Sequence, residues 1–430
     1  MMERIDTDVL IVGTGAAGLF AALHADLDKK VLMITKVEKD KSDSYLAQGG
    51  ICVLKDEEDY DSFFEDTMKA GHYENRKESV DIMIRSSKET IEELVNYGVE
   101  FAKKGDHFDY TREGCHSKPR ILYHEDITGE EITSKLLAEV LTRKNITIIE
   151  NMPMVDILEK ENVCYGVLAK KENEYYAICA DHTLFATGGI GGLFYSSTNY
   201  PHLRGDAVAI AIRHGIQLEH PEYIQFHPTT LYSKKNGRCF LISESIRGEG
   251  AKLYGADGKR FANEILPRDL LTKAILKQMK KDHKPYVWLD MTILGKETIV
   301  SHFPHIYQHC LNEGYDCTKE WIPVVPGQHY YMGGVYVDKN SRTSMERLYA
   351  AGETSCNGVH GKNRLASNSL LESLVFAKRA MLDIQKQTRV QFKDDMEDLI
   401  KETIEKLPDD YVEAYKNIVL NEIKKRKEEN

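Results

Sequence analysis

The stretch Thr7–Gly18, TDVLIVGTGAAG, runs from an apolar segment of strand length into a glycine-spaced turn, and a helical segment follows to about Ala25. A second apolar run, Val31–Thr35, comes next, so G-x-G-x-x-G stands in the strand–turn–helix–strand setting that its chemistry requires. Gly13 permits the tight turn, Gly15 lets a pyrophosphate approach the backbone, and Gly18 lets helix and strand pack closely. The pattern predicts a dinucleotide-binding α/β unit at the head of the chain. One position departs from the usual form. After the second strand, where an acidic residue is expected on the ribose, the chain has Lys36, with Glu38 two residues on.

Further glycine-rich approaches follow. Ser42–Ile51, SDSYLAQGGI, closes on Gln48-Gly49-Gly50, where missing side chains admit a flat ring and amides reach its edge. Thr183–Ala186 reads as a strand entering Thr187-Gly188-Gly189, a second close approach to a nucleotide, and Asp206 precedes a small-residue helix. Ala350–Glu372, AAGETSCNGVHGKNRLASNSLLE, passes Glu353, His360 and Arg364 and turns helical at Ser369. There S-x-x-E fits a capping box ahead of Leu370, Leu371, Leu374, Val375 and Met381. A helix start behind a polar loop presents bare N–H groups and a positive dipole end, which favours an anion or a ring that becomes anionic.

Asp61–Tyr97 reads as two packing helices, with Ile82, Met83, Ile91, Leu94 and Val95 as their apolar positions. Tyr110–Gly129 is dense in polar groups (Arg112, Glu113, His116, Arg120, His124, Asp126) and reads as a solvated loop. Texture changes after about Pro221. Gln225-Phe226-His227-Pro228-Thr229 puts an amide and an imidazole on one loop, SESIRGEG follows at Ser243–Gly250, and Arg268 sits in Pro267-Arg268-Asp269. With a strand at Tyr286–Leu289, the segment to about Pro326 reads as an inserted domain, after which His329 returns the chain to the first. From Phe392 the tail is charged and helical, with Met396, Leu399, Ile400 and Ile404 on one face as far as Pro408.

The 430 residues suffice for two or three domains and a large core. A formal charge of −11 argues against nucleic-acid or anionic-membrane partners while leaving room for a local basic pocket. No apolar run approaches a membrane span and MMERIDTD has no apolar h-region, so a cytoplasmic protein is expected. Eight scattered cysteines without a C-x-x-C pair suggest neither a zinc site nor a disulfide framework, and no metal is expected.

Taken in order, Gly13–Gly18, Ala47–Ile51, Thr111–Ser117, Ala186–Gly189, Gln225–Thr229, Pro267–Asp269, His329 and Ala350–Glu372 resemble the succinate dehydrogenase/fumarate reductase flavoprotein family, from about Asp6 to Lys386. The resemblance implies a Rossmann-like FAD-binding domain, discontinuous over 1–225 and 328–390. It also implies an inserted α+β capping domain over 226–327 and a C-terminal helical tail over 391–430, shorter than the helical domain usual in the branch concerned. FAD would be held by Gly13, Thr14, Gly15, Ala16, Ala17, Gly18 and Lys36, a lysine being common at that last position in this branch. Ser44, Gln48, Gly49 and Gly50 would line the isoalloxazine, with Asp206, Glu353, Ser369 and Leu370 completing the site. Covalent members carry a flavin-linking histidine where this chain has Asp43, so FAD is expected to be non-covalent.

Within the family the chain resembles the branch that oxidises L-aspartate to iminoaspartate, passing a hydride to flavin N5, as the first step of NAD biosynthesis through quinolinate. His227, His329 and Arg364 match the positions that bind the substrate carboxylates, Gln225 would add an amide donor, and Arg268 matches the proton-transferring arginine. Glu113 points to aspartate, because a carboxylate near C2 pairs with an ammonium that succinate lacks. Thr111-Arg112-Glu113-Gly114 resembles the aspartate-oxidising form of the loop. The resemblance implies reoxidation by oxygen or fumarate, and hand-over of the product to quinolinate synthase. The alternative is a soluble fumarate reductase of the same fold.

Overall fold

The computed structural model describes residues 3–172, 174–235, 237–387 and 396–429. Of the tail expected from 391 onward, 391–395 (with Phe392) and Asn430 lie outside the described residues. Strand β1 (Glu3–Val12), helix α1 (Ala16–Leu23) and strand β2 (Val31–Ile34) form the unit that the glycine spacing predicts. Helix α2 (Thr128–Thr142) then leads to β3 (Ile146–Ile149), β4 (Met154–Lys160), β5 (Val163–Lys171) and β6 (Glu174–Phe185). The sheet runs β3-β2-β1-β6 in parallel. The other edge of β6 is divided between antiparallel β5, with β4 beyond it, and the later parallel strand Leu348–Ala350. Chain order moves outward from β1 to β3 and restarts beyond β1 at β6. The topological switch therefore lies between β1 and β6, and the crevice at their carboxyl ends is the expected ligand position.

That crevice exists because Gly13 has no side chain. Its φ is +117°, and a Cβ there would overlap the Ala186 carbonyl oxygen at the end of β6. Gly18, inside α1, stands against the Gly13 carbonyl with the same constraint.

Helix α3 (Asp206–Arg213) covers one face of the sheet, and strand β7 (Ile224–Leu231) opens a second unit. Its antiparallel sheet adds β8 (Lys252–Tyr254), helix α4 (Arg268–Asp282) packs on it, and β9 (Val287–Asp290) and β10 (Ile322–Tyr331) complete it in the order β7-β10-β9-β8. Leu253, Leu271, Ile275, Leu289 and Ile322 belong to a core of its own. Strand β11 (Leu348–Ala350) then rejoins the first sheet beside β6, and helix α5 (Asn368–Ile384) packs against α1. Helix α6 (Met396–Glu405) places Met396 and Ile400 on Leu158 and Leu168, and α7 (Tyr411–Glu429) places Tyr415, Val419 and Ile423 in the core beside α3.

Four expectations need correction. The 61–97 region forms three helices, Tyr60–Ala70, Lys77–Arg85 and Ser87–Asn96, because the chain breaks at Gly71–Arg76 and Ser86. Gln225–Thr229 is strand rather than loop. Pro228 is tolerated because β7 is an edge strand and the register shifts between His227 and Thr230. Helix α5 starts at Asn368 and makes no capping box. Ser369 Oγ accepts from Arg364 Nη1 at 2.9 Å, and Glu372 bonds to Asn357 and Ser373. The polar stretch 110–129 is also not a solvated loop, since Glu113, His116, Arg120 and Asp126 are buried.

Arg120 explains that last burial. Fully enclosed, it donates Nε at 3.0 Å and Nη2 at 2.9 Å to the two Asp59 oxygens, and Nη1 at 2.6 Å to Asp66. Removing one partner of a buried ion pair leaves the other charge uncompensated. Arg120→Leu should lower stability by about 3–5 kcal/mol, read as a shift of the urea midpoint. A loss below about 1 kcal/mol, the range of exposed pairs, would contradict this account of the stretch.

Candidate active site

A cleft runs from the switch point to the junction with the second unit. One end is lined by Val12, Ile34, Lys36, Met152 and Asp206, and the other by Glu113, His227, Glu244, Arg268, His329 and Arg364. Between them lie Gly13–Ala17, Ser44, Gln48, Gly49, Gly50, Glu353, Ser369 and Leu370. Nearly all the site residues expected from the sequence thus face one cavity. Gly18 and Gln225 are the exceptions. Gly18 acts where helix meets strand. Gln225, expected to donate to substrate, lies behind the wall with its amide already committed. Its Nε2 donates to Asn363 Oδ1 and to the Arg364 carbonyl, both at 2.9 Å, and its Oε1 accepts from Arg268 Nη1 at 2.9 Å.

The first end fits a dinucleotide. The α1 N-terminus follows the Gly13–Gly15 turn, its N-cap residue Gly15 has no side chain to cap it, and the N–H groups beyond Ala16 are left for a pyrophosphate. Ser44 Oγ accepts from Ala16 N–H at 3.2 Å and so fixes the neighbouring loop. Lys36 pairs with Asp206 and donates to the His202 carbonyl at 3.0 Å, while Glu38 is exposed and takes no part in the lining. Farther along, Gln48 Oε1 is a buried acceptor without a partner at the cavity wall. Glu353 Oε1 accepts from Tyr331 N–H at 2.9 Å, and a Cβ on Gly189 would overlap this carboxylate. These are the features a flavin dinucleotide requires: a glycine cradle, an uncapped helix start and unmatched polar atoms along the wall.

At the other end, strand irregularities aim the histidines. β7 and β10 pair Gln225 with Tyr330 and Phe226 with Gln328, so His329 is an extra, unpaired residue. The bulge brings the His329 and His227 rings to 5.2 Å, edge to face. His329 Nδ1 is joined to Thr198 Oγ1 at 2.8 Å. Burial and the nearby Arg268 hold both imidazoles well below the usual histidine range, so they are neutral at pH 7. His227 Nδ1 lies 3.0 Å from the Thr229 carbonyl oxygen and 3.2 Å from Thr229 N–H, and its Nε2 is buried without a partner. In either ring tautomer Nε2 is the nitrogen left without a protein partner, on a residue that lines the cavity. Arg364 lies over the Tyr330 ring at 4.5 Å. Burial, then Arg268, lower its guanidinium to about 10, still charged at neutral pH.

Glu244, for which the sequence suggested no role, holds Arg268 through Nε at 2.7 Å and stands 3.6 Å from Arg247. Burial opposes its ionisation, but Arg268 and Arg247 prevail and lower its pKa. Glu113 accepts from Ser245 Oγ at 3.0 Å and Ser367 Oγ at 2.5 Å. Burial and the facing Glu244 raise its pKa. A Cβ on Gly49 would sit 2.9 Å from Glu113 Oε1, so glycine there keeps the carboxylate and the ring-lining loop in contact.

Residues 8–370 match the model of the FAD binding domain family. The chain is 47% identical over 423 residues to an L-aspartate oxidase of Clostridium perfringens, covering 98% of this chain and 95% of that one. It is 50% identical over 383 residues to an L-aspartate oxidase of Clostridium acetobutylicum, covering 89% and 88%. Among solved structures it superposes on Escherichia coli quinol fumarate reductase with a TM-score of 0.88 at 29% identity, over 94% of this chain and 74% of that one.

One pH effect follows from Glu353. Burial, then Asp43, push its carboxyl from 4.5 to about 8. A carboxyl with a raised folded pKa binds extra protons when folded, so the stability linked to it is present at low pH and is lost as pH rises from about 4.5 to about 8. In flavin-free protein, Glu353→Gln should match the parent Tm near pH ~4.5 and exceed it by a few degrees above pH ~8. Superimposable Tm–pH profiles would contradict the assignment.

Proposed function

Since the chain belongs to the L-aspartate oxidases of the FAD-dependent succinate dehydrogenase/fumarate reductase family, we propose that Glu113 selects the substrate amine while Arg364, His227 and His329 hold its carboxylates. The reaction is oxidation of L-aspartate to iminoaspartate, the first step of NAD biosynthesis. Bound FAD supplies the hydride acceptor.

The observation that carries the assignment is Glu113. It is a buried carboxylate at the cavity wall whose hydrogen-bond partners are hydroxyls rather than cations. Around the same end stand Arg238, Arg268 and Arg364 with Glu113 and Glu244, two neutral histidines, and Arg247 behind Glu244. An amino dicarboxylate brings an ammonium group for Glu113, whereas a plain dicarboxylate brings none. The alternative, a soluble fumarate reductase oxidising succinate, gives Glu113 no partner.

Arginine offers a planar fork to a carboxylate, and Ser369 fixes that fork by accepting from Arg364 Nη1. His227, in the tautomer that carries its proton on Nε2, supplies a neutral donor, which binds a carboxylate without adding charge. Arg268 is placed to carry the proton. Gln225 and Glu244 fix two of its nitrogens, and Glu244 lies between Arg268 and Arg247, so charged groups are arranged behind any proton taken up there. Gln225 is accordingly a positioning residue. The 226–327 segment is proposed as the capping domain that closes this end, since Glu244, Arg247 and Arg268 all come from it.

Non-covalent FAD is supported by Asp43, a carboxyl with one oxygen taken by Tyr200 N–H at 2.8 Å, where a histidyl link is impossible; release of flavin on denaturation tests this. The proposal extends to reoxidation by oxygen or fumarate, and to hand-over of the unstable imine to quinolinate synthase, in the cytoplasm. No helix of the described residues is long and apolar enough to cross a membrane.

Two activities of one holoenzyme separate the roles: aspartate oxidation and fumarate reduction by the reduced flavin. Glu113→Gln should cut kcat/KM for L-aspartate by about ten-fold or more and leave fumarate reduction within about three-fold, since only aspartate brings a cation. Arg268→Leu should cost both activities more than about 100-fold. Equal losses on both substrates in Glu113→Gln would refute the amine assignment.

A further inference from the structure

Two hydroxyls hold Glu113, and they come from different units. Ser367, at the start of α5, donates to Oε2, while Ser245, in the short helix Glu244–Gly248 between β7 and β8, donates to Oε1. The direction of each bond is set by what stands behind the hydroxyl. Gly50 N–H donates to Ser367 Oγ at 3.2 Å, leaving the single Ser367 hydroxyl proton for Glu113. Ser243 Oγ donates to Ser245 Oγ at 3.2 Å and itself accepts from Ser245 N–H at 3.3 Å, so the Ser245 proton is also left for Glu113. Both carboxylate oxygens therefore receive a committed donor. This favours the ionised form against burial and against the neighbouring Glu244.

The backbone shows that the Ser367 arrangement is not an ordinary helix start. Ser367 occupies the N-cap position of α5 with φ +61°, in the left-handed region, and makes no cap bond. A serine there usually accepts from an N–H inside the helix. Here the hydroxyl is turned away to link the Gly50 amide to Glu113, and a strained backbone conformation accompanies the change. One atom thus ties together the loop of Gln48–Gly50, the Glu113 loop and the first turn of α5.

We propose that Ser245 and Ser367 are the positioning residues that make Glu113 an ammonium receptor, and that the receptor is complete only where the two units meet, because Ser245 reaches it from the second. The proposal rests on the reading of Glu113 given above and assigns the residues that determine its selectivity. A plain dicarboxylate has no group for Glu113 to bind, so its turnover does not depend on either hydroxyl.

The test uses holoenzyme carrying Ser245→Ala, Ser245→Thr or Ser367→Gly, the glycine keeping the positive φ while removing the hydroxyl. Bound-flavin absorbance confirms that each variant is folded. Loss of one hydrogen bond to a charged acceptor corresponds to roughly a ten-fold effect. Ser245→Ala and Ser367→Gly should each lower kcat/KM for L-aspartate about ten-fold, mainly through KM, with fumarate reduction kept within about two-fold. Ser245→Thr, which restores the hydroxyl, should return the aspartate KM toward the parent value. Equal losses on aspartate and fumarate beside a selective loss in Glu113→Gln would overturn the roles of the serines alone. Equal losses in Glu113→Gln as well would overturn the reading of Glu113 and this proposal with it.

Discussion

The close approach of Gly13 to the Ala186 carbonyl is the contact on which the remaining architecture depends. It brings the carboxyl ends of β1 and β6 together at the point where the sheet reverses its chain order, and opens the crevice above them. Gly18 repeats the constraint one turn later and brings α1 down on the strand end. From this corner the cavity extends along the loops that follow β1, β2 and β6 to the first turn of α5. A side chain at either glycine would push apart the elements that the loops have to span.

The far end of the cavity shows a different principle. Arginines and glutamates are buried there at close range, an arrangement that costs stability unless every charge has a partner. Arg268 has Glu244 and Gln225, Arg364 has Ser369 and the Tyr330 face, and Glu244 lies between two guanidinium groups. Glu113 is held only by hydroxyls and stands out for that reason. The histidines stay neutral because they are buried and because Arg268 stands nearby, so they meet a ligand without adding to the positive charge. The result is a pocket in which buried cations and carboxylates stand side by side, within a chain whose overall charge is negative.

How much of this could be read beforehand depended on distance along the chain. The β1–α1–β2 unit was legible because its signal is contained in the spacing of three glycines between apolar runs. Arg364, His227 and His329 lie far apart in sequence, and only the resemblance to a known family brought them together before the fold did so. The 110–129 stretch was misread because its polar groups have distant partners, Arg120 on Asp59 and Asp66, Glu113 on Ser245 and Ser367, and Asp126 on the Ile306 N–H, and such pairing leaves no local trace. The apparent capping box failed for a similar reason, since Arg364 and Asn357 compete for the side chains that would have formed it. Glu244 and Ser245 sat in plain view in SESIRGEG, but nothing in that segment reveals that it meets Glu113. Gln225 was expected to face the ligand and instead bonds to Asn363, Arg364 and Arg268, since an amide beside an arginine can face either the ligand or the protein.

The most direct measurement is anaerobic titration of the holoenzyme with L-aspartate, followed in the absorption band of the oxidised flavin at roughly 450 nm. A pocket in which Glu113 receives the substrate ammonium predicts that L-aspartate bleaches this band while succinate at the same concentration leaves it intact. Bleaching by succinate, or an unchanged band with saturating L-aspartate, would contradict the account.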